Sequence, residues 1–143
     1  MEVINYQKEY QVCGKLVYSC QYHIIICTKY RRKVLADEIG SRLKELITEK
    51  QQDFNFELIE IEVMPDHVHM IVGANPKIGV YPTMTKIKGF LAHQLREEFP
   101  QLKTRLPCLW TNSSFISSVG SVSLETVKKY IENQKKKEIK KKK

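Results

Sequence analysis

Two histidines separated by one residue are the strongest chemical signal in the sequence. His67 and His69 flank Val68, directly after a Pro65-Asp66 turn signal. On a β-strand, side chains two positions apart project from the same face, so the two imidazoles are expected to stand side by side. Two imidazoles held in this way can supply two ligands to one divalent metal ion. The same pattern also occurs on ordinary exposed strands, so it does not establish a metal site by itself.

A tyrosine and a glutamine near the C-terminal end form a second candidate group. Tyr130 and Gln134 are four residues apart, which places them on one face of a predicted helix. Leu124, Val127 and Ile131 form an apolar stripe beside them that would dock this helix on the sheet. A tyrosine beside such a stripe is ordinarily a packing residue. Near a metal ion, however, its oxygen could attack a phosphodiester.

Hydrophobic periodicity predicts the elements that would position these groups. Strands are expected at residues 16–28, 54–64, 67–73 and 114–119, and helices at residues 37–52, 81–99 and 123–136, with a loop at residues 100–110. This order is that of a split βαβ unit with one added helix. The predicted fold is therefore α+β, with a ferredoxin-like or RRM-like antiparallel sheet, helices on one face, and an extra C-terminal helix that carries the tyrosine.

Length and composition place limits on the class of protein. The 143 residues suit one domain, predicted at residues 1–134. Residues 135–143 hold seven lysines and one glutamate and are predicted to be a disordered tail, which carries +6 of the net charge of +8. No apolar run reaches the length of a membrane span, and no secretory signal pattern is present. The four cysteines show no zinc-site spacing, so a cytoplasmic protein with reduced thiols is expected.

The cations of the body are clustered rather than spread evenly. Four of them surround one tyrosine at the end of the first predicted strand: Lys29, Arg31, Arg32 and Lys33. Such a patch on a nearly neutral body favours a polyanion, and these four residues are predicted to contact its phosphates. Trp110 could either stack on a base or anchor the core.

Five blocks of the sequence, in order between about Tyr18 and Gln134, resemble the small HUH transposases of the insertion sequence 200/605 family, where HUH denotes two histidines around a hydrophobic residue. The blocks are Tyr22-His23-Ile24-Ile25, Lys29-Tyr30-Arg31-Arg32-Lys33-Val34-Leu35, Pro65-Asp66-His67-Val68-His69, Leu109-Trp110-Thr111-Asn112-Ser113 and Lys129-Tyr130-Ile131-Glu132-Asn133-Gln134. The HUH pair is weak evidence alone, but its combination with the Tyr-x-x-x-Gln helix is specific.

The resemblance implies a site and a reaction. His67, His69 and Gln134 would bind a divalent metal ion, Mg²⁺ or Mn²⁺, and Tyr130 would be the nucleophile. Members of this family cut and rejoin single-stranded DNA at hairpin-marked ends of a mobile element through a 5′-phosphotyrosine. They work as homodimers in which the tyrosine helix of one subunit completes the site of the other.

Several alternatives stay open at this stage. Glu62 would lie across from His69 if Pro65-Asp66 forms a two-residue turn, so it is a possible further metal ligand. Asp66 is more typical of a turn former than of a ligand. His23 is interpreted as a core or sheet residue. Rival functions are a non-catalytic ferredoxin-like nucleic-acid-binding module and a domesticated relative that processes palindromes with the same chemistry.

Overall fold

The structure is a computed structural model that describes residues 11–119, 129–133 and 135. The strands are β1 (Gln11–Cys13), β2 (Leu16–Tyr18), β3 (Gln21–Thr28), β4 (Phe56–Met64), β5 (His67–Ala74) and β6 (Trp110–Ser118). The helices are α1 (Asp37–Glu49), α2 (Val80–Glu98) and α3 (Gln101–Arg105), with a single 3₁₀ turn at Lys29–Arg31. Residues 129–133 and 135 are also helical. None of the helices in these ranges is long and apolar enough to cross a membrane.

Four strands form one antiparallel sheet in the order β4-β5-β3-β6. The two central strands, β3 and β5, are hydrogen-bonded neighbours, although α1 and β4 lie between them in the chain. This order, with α1 and α2 as the two crossovers, is the ferredoxin-like arrangement, so the predicted fold class is confirmed. β1 and β2 form a separate two-stranded hairpin.

The main core lies between one face of the sheet and the helices α1 and α2. Val68, Met70 and Val72 of β5 point into it and are almost fully buried, as their alternation with the histidines predicts. The predicted apolar faces of the two helices are buried against them: Ile39, Leu43, Leu46 and Ile47 of α1, and Met84, Ile87, Leu91 and Leu95 of α2.

The opposite face of the sheet carries a smaller apolar cluster. Ile25 and Cys27 of β3 are buried there against Phe115 of β6 and against Tyr130 and Ile131. The predicted start of the last helix lies outside the described residues. The helical residues around Tyr130 thus pack on the face that α1 and α2 leave open.

Several predicted element boundaries are wrong, including the start of the last strand, which is Trp110 rather than residue 114. The strand predicted at residues 16–28 is two strands that are interrupted at residues 19–20. β2 pairs with β1 across a turn in which Gly14 has a φ of +61°, and it belongs to a different sheet from β3. The loop predicted at residues 100–110 contains α3, which begins after Pro100, a residue suited to a helix start, and buries Leu102. The tail predicted to be disordered lies outside the described residues, apart from the helical Lys135.

Candidate active site

The structure places the two predicted metal ligands side by side on the open face of the sheet. β4 ends at Met64 and β5 begins at His67, so Pro65-Asp66 is a two-residue turn. Strand pairing sets Cys27 across from His67, and Ile25 across from His69. Tyr130 packs on these same two β3 residues. The histidine pair and the tyrosine therefore share one face of one sheet.

Asp66 holds the ring of His67. Its Oδ1 lies 2.8 Å from Nδ1 of His67, and its Oδ2 accepts a hydrogen bond of 2.9 Å from Arg31. Burial alone would raise the pKa of Asp66, but the hydrogen bond from His67 and the charge of Arg31 outweigh it and hold that pKa below its usual range. An ionised carboxylate only accepts, so Nδ1 of His67 donates this hydrogen bond, which is the second partner that metal-binding histidines commonly have. The turn residue thus also orients a histidine.

His69 has a histidine partner that the sequence pattern did not reveal. Nδ1 of His23 lies 3.1 Å from Nε2 of His69, with the two ring centroids 5.4 Å apart. Burial, and then the neighbouring His23, lower the pKa of His69 to about 4, while burial lowers the pKa of His23 as well. Both imidazoles are therefore neutral at pH 7, which is the protonation state that binds metal ions. Only the register of β3 on β5 brings His23 to this position.

The histidine face offers only part of the ligand set that a divalent metal ion needs. Within the described ranges, no group of three or more His, Cys, Asp and Glu side chains is arranged to hold a metal ion. His67 and His69 supply two ring nitrogens on one face, and Glu62 pairs with His69 across the β4–β5 ladder, as the two-residue turn predicts. Gln134, the predicted third ligand, lies outside the described residues. The two histidines could supply two nitrogen ligands to a divalent metal ion, whose remaining ligands would come from other groups.

Tyr130 is held by its ring rather than by its hydroxyl. The ring packs against Phe115 with centroids 4.7 Å apart. The hydroxyl is buried and makes no hydrogen bond of ordinary geometry within the part of the chain that the structure describes. Burial raises the pKa of Tyr130 and nearby Cys27 adds to the effect, which the side chain of Ser113 and the charge of Arg31 partly oppose. The phenol is therefore protonated at pH 7, and it must lose that proton to act as a nucleophile.

The basic cluster divides into two parts. Arg32 and Lys33 are exposed, and Lys29 lies over the ring of Tyr30, 5.2 Å from its centroid. Arg31, by contrast, is buried, and its guanidinium binds Asp66 and the main-chain oxygen of Ile131. Three of the four predicted phosphate contacts are thus accessible from solvent, whereas Arg31 is occupied inside the protein.

Trp110 was predicted either to stack on a base or to anchor the core, and the structure shows that it anchors the core. Its indole is buried in the main core, and its Nε1 donates a hydrogen bond of 3.0 Å to the main-chain oxygen of Lys88. The side chain therefore anchors β6 to α2, and its ring is not available to stack on a base.

Comparison with known proteins identifies the family. Residues 16–134 match the family described as "Transposase IS200 like". The chain is 37% identical to the ISDra2 transposase TnpA of Deinococcus radiodurans over 85% of its own length and 89% of the relative's. It is 31% identical to the transposase for insertion sequence element IS200 of Salmonella typhimurium, over 82% of its own length and 78% of that protein's.

Solved structures agree with this assignment. A crystal structure of a Deinococcus radiodurans R1 protein assigned as a transposase superimposes with a TM-score of 0.77 at 36% identity, covering 87% of this chain and 97% of that one. A tyrosine transposase bound to a REP hairpin shares the fold, with a TM-score of 0.53 at 16% identity, over 88% of this chain and 67% of that one. The histidine pair and the tyrosine thus lie on a fold shared with known transposases, and the chain belongs to the IS200-like transposase family.

Proposed function

We propose that this transposase cleaves and rejoins single-stranded DNA at the hairpin-marked ends of a mobile element, through a 5′-phosphotyrosine formed by Tyr130. One observation carries the proposal: His67, His69 and Tyr130 lie on the same open face of one sheet. Nucleophile and metal-binding groups must approach one phosphate together, and a shared face allows it.

The bond changes of the proposed reaction balance without an energy source. The Tyr130 oxygen attacks the phosphorus of a phosphodiester and loses its proton, while the bond from phosphorus to the 3′ oxygen breaks and that oxygen gains a proton. One phosphodiester replaces another, so rejoining by a free 3′ hydroxyl needs no ATP. A Mg²⁺ or Mn²⁺ ion held by His67, His69 and Gln134, with Glu62 as a possible further ligand, would polarise the phosphate. Asp66 and His23 would keep the two rings in place.

The substrate is proposed to be single-stranded DNA that folds into hairpins. Support comes from the structurally similar tyrosine transposase that was solved with a REP hairpin, and from the exposed cations beside the site. Lys29, Arg32 and Lys33 would contact phosphates, which position DNA without reading its sequence. A protein that acts on DNA and whose four cysteines form no disulfide bond in the described residues is proposed to work in the reducing cytoplasm.

A covalent adduct tests the proposed chemistry. The protein is incubated with labelled single-stranded DNA that carries candidate element ends, in the presence of Mn²⁺, and is separated on a denaturing gel. We expect a labelled protein band that survives denaturation and disappears when a chelator is added. Tight binding of the same DNA without any adduct would contradict the proposal and support the rival function, a non-catalytic nucleic-acid-binding module. A domesticated palindrome-processing relative would form the adduct on repeated palindromes instead.

The exposed cations allow a prediction about salt dependence. Arg32→Ala is expected to lower the slope of log binding constant against log salt concentration by about 0.9 for hairpin DNA, because one phosphate contact and its released counterion are lost. Fluorescence anisotropy at several salt concentrations measures this slope. Lys44→Ala on α1 is the matched control, since Lys44 is also exposed but lies on the helix-covered side of the sheet. Equal slopes in the two variants would contradict the assignment.

The protein is proposed to be a homodimer, with active sites completed in trans. β6 is hydrogen-bonded on one side only in the sheet that the described residues form, and it precedes the tyrosine helix in the chain. Within this single chain, Tyr130 and Ile131 contact their own sheet.

Mixed dimers distinguish the two arrangements. Dimers that combine a Tyr130→Phe subunit with a His67→Ala subunit are expected to regain cleavage at one site, because only exchange of the helices pairs an intact tyrosine with an intact histidine pair. Complete inactivity of the mixed dimers would show that each helix serves its own subunit.

A further inference from the structure

Arg31 lies between the two parts of the candidate site, the histidine pair on β5 and the helix that carries Tyr130. Its Nη2 donates a hydrogen bond of 2.9 Å to Asp66, the carboxylate that holds Nδ1 of His67. Its Nη1 donates a hydrogen bond of 2.7 Å to the main-chain oxygen of Ile131, the residue after Tyr130. One planar guanidinium therefore connects the histidine strand to the tyrosine helix.

The side chain of Arg31 is buried in the protein and is hardly exposed to solvent. It is 5% exposed, and its ion pair with Asp66 is one of the most buried in the described ranges. A buried cation is costly unless it is paired and hydrogen-bonded, so these contacts are required to keep it there. A lysine could not reproduce them, because a single ammonium lacks the rigid fork that reaches two acceptors at once.

The backbone at this point is held in an uncommon conformation. Tyr30 and Arg31 both have positive φ angles, of 56° and 52°, which residues other than glycine rarely adopt. Hydrogen bonds on either side hold the turn. Before it, the main-chain nitrogens of Thr28 and Lys29 donate to the oxygens of Asp66 and Leu109, and after it that of Arg32 donates to the oxygen of Lys29. Strained backbone of this kind persists where the surroundings over-determine it. Here it directs Arg31 inward while its neighbour Arg32 stays exposed.

We propose that Arg31 is a positioning residue that docks the tyrosine helix onto the histidine site. This inference rests on the proposed function for its catalytic consequence, but not for the docking itself. It also separates Arg31 from the cations proposed to contact DNA. The same contact serves a helix held in cis or in trans, because an exchanged helix would present the same carbonyl.

Hydrogen exchange tests the docking without any reaction. In Arg31→Ala, amides at residues 129–133 are expected to exchange at least about 10-fold faster, while those of β3 and β5 keep their protection. Arg32→Ala is the matched control and should leave both regions unchanged. If Arg31→Ala also loses protection of the sheet amides, hydrogen exchange is measured in Arg31→Lys instead, because this variant keeps the charge. Unchanged exchange at residues 129–133 in a folded variant would overturn the proposal, whether or not the wild-type protein forms an adduct.

Kinetics distinguish positioning from DNA contact. At saturating DNA and Mn²⁺, the rate of adduct formation by Arg31→Ala is expected to fall about 10- to 100-fold, as for other residues that orient a site. Its affinity for hairpin DNA should stay within two-fold of wild type and its salt slope should be unchanged, and millimolar guanidinium should restore part of the rate. A drop in salt slope like that of Arg32→Ala, with no loss of rate at saturation, would return Arg31 to the phosphate-binding group and overturn the proposal.

Discussion

Tyr130→Phe is expected to abolish the covalent adduct with DNA, lowering its rate of formation by roughly 10⁴-fold or more, as when the nucleophile of other enzymes is removed. Hairpin affinity should stay within two-fold of wild type. The substitution removes one oxygen that has no hydrogen bond of ordinary geometry among the described residues, and the phenyl ring keeps its contact with Phe115. The fold should therefore be preserved. Labelled DNA and denaturing gels measure the adduct, and anisotropy measures the binding.

Tyr81→Phe is the matched control for this experiment. Tyr81 lies on α2, is 66% exposed, and is not on the histidine face. The control should form the adduct at the wild-type rate. If Tyr130→Phe still formed it, another nucleophile would have to be responsible, and the proposed role of Tyr130 would be wrong. Loss of the adduct in both variants would point to a defect in DNA binding rather than in chemistry.

Removal of the histidine pair is expected to have the second largest effect. His67→Ala and His69→Ala should each weaken Mn²⁺ binding at least about 100-fold, because the loss of a ligand costs at least as much as the loss of a group that orients one. Both should also lose the adduct, while hairpin binding in chelator stays close to wild type. Titration of Mn²⁺ followed by electron paramagnetic resonance of the free ion measures the affinity directly.

His93→Ala is the matched control for the metal titration. His93 is exposed on α2, away from the face that carries Tyr130. Its removal should change neither Mn²⁺ affinity nor adduct formation. Wild-type Mn²⁺ affinity in a protein that lacks both His67 and His69 would contradict their proposed role as ligands. In that case the buried pair of His69 and His23 would be a feature of packing.

Much of the architecture was predictable from local patterns. Alternation along residues 67–73 correctly assigned Val68, Met70 and Val72 to the core and the histidines to the other face, because a strand has a strict period of two. Helical spacing correctly predicted the buried faces of α1 and α2. The two-residue turn was predictable from Pro65-Asp66, and with it the pairing of Glu62 with His69. These features depend only on residues close together in the chain.

The surroundings of the site were decided by tertiary structure. His23 meets His69 because β3 pairs with β5 in one register, and a shift by one residue would place His23 on the core face. The inward path of Arg31 depends on two positive φ angles, which no hydrophobic pattern marks, so the sequence grouped it with the exposed cations. Its two acceptors lie 35 and 100 residues away in the chain. The sequence by itself determined which reactive groups are present, namely two histidines and a tyrosine. The tertiary structure decided which side chains orient them, because contacts between distant segments depend on strand register and backbone conformation.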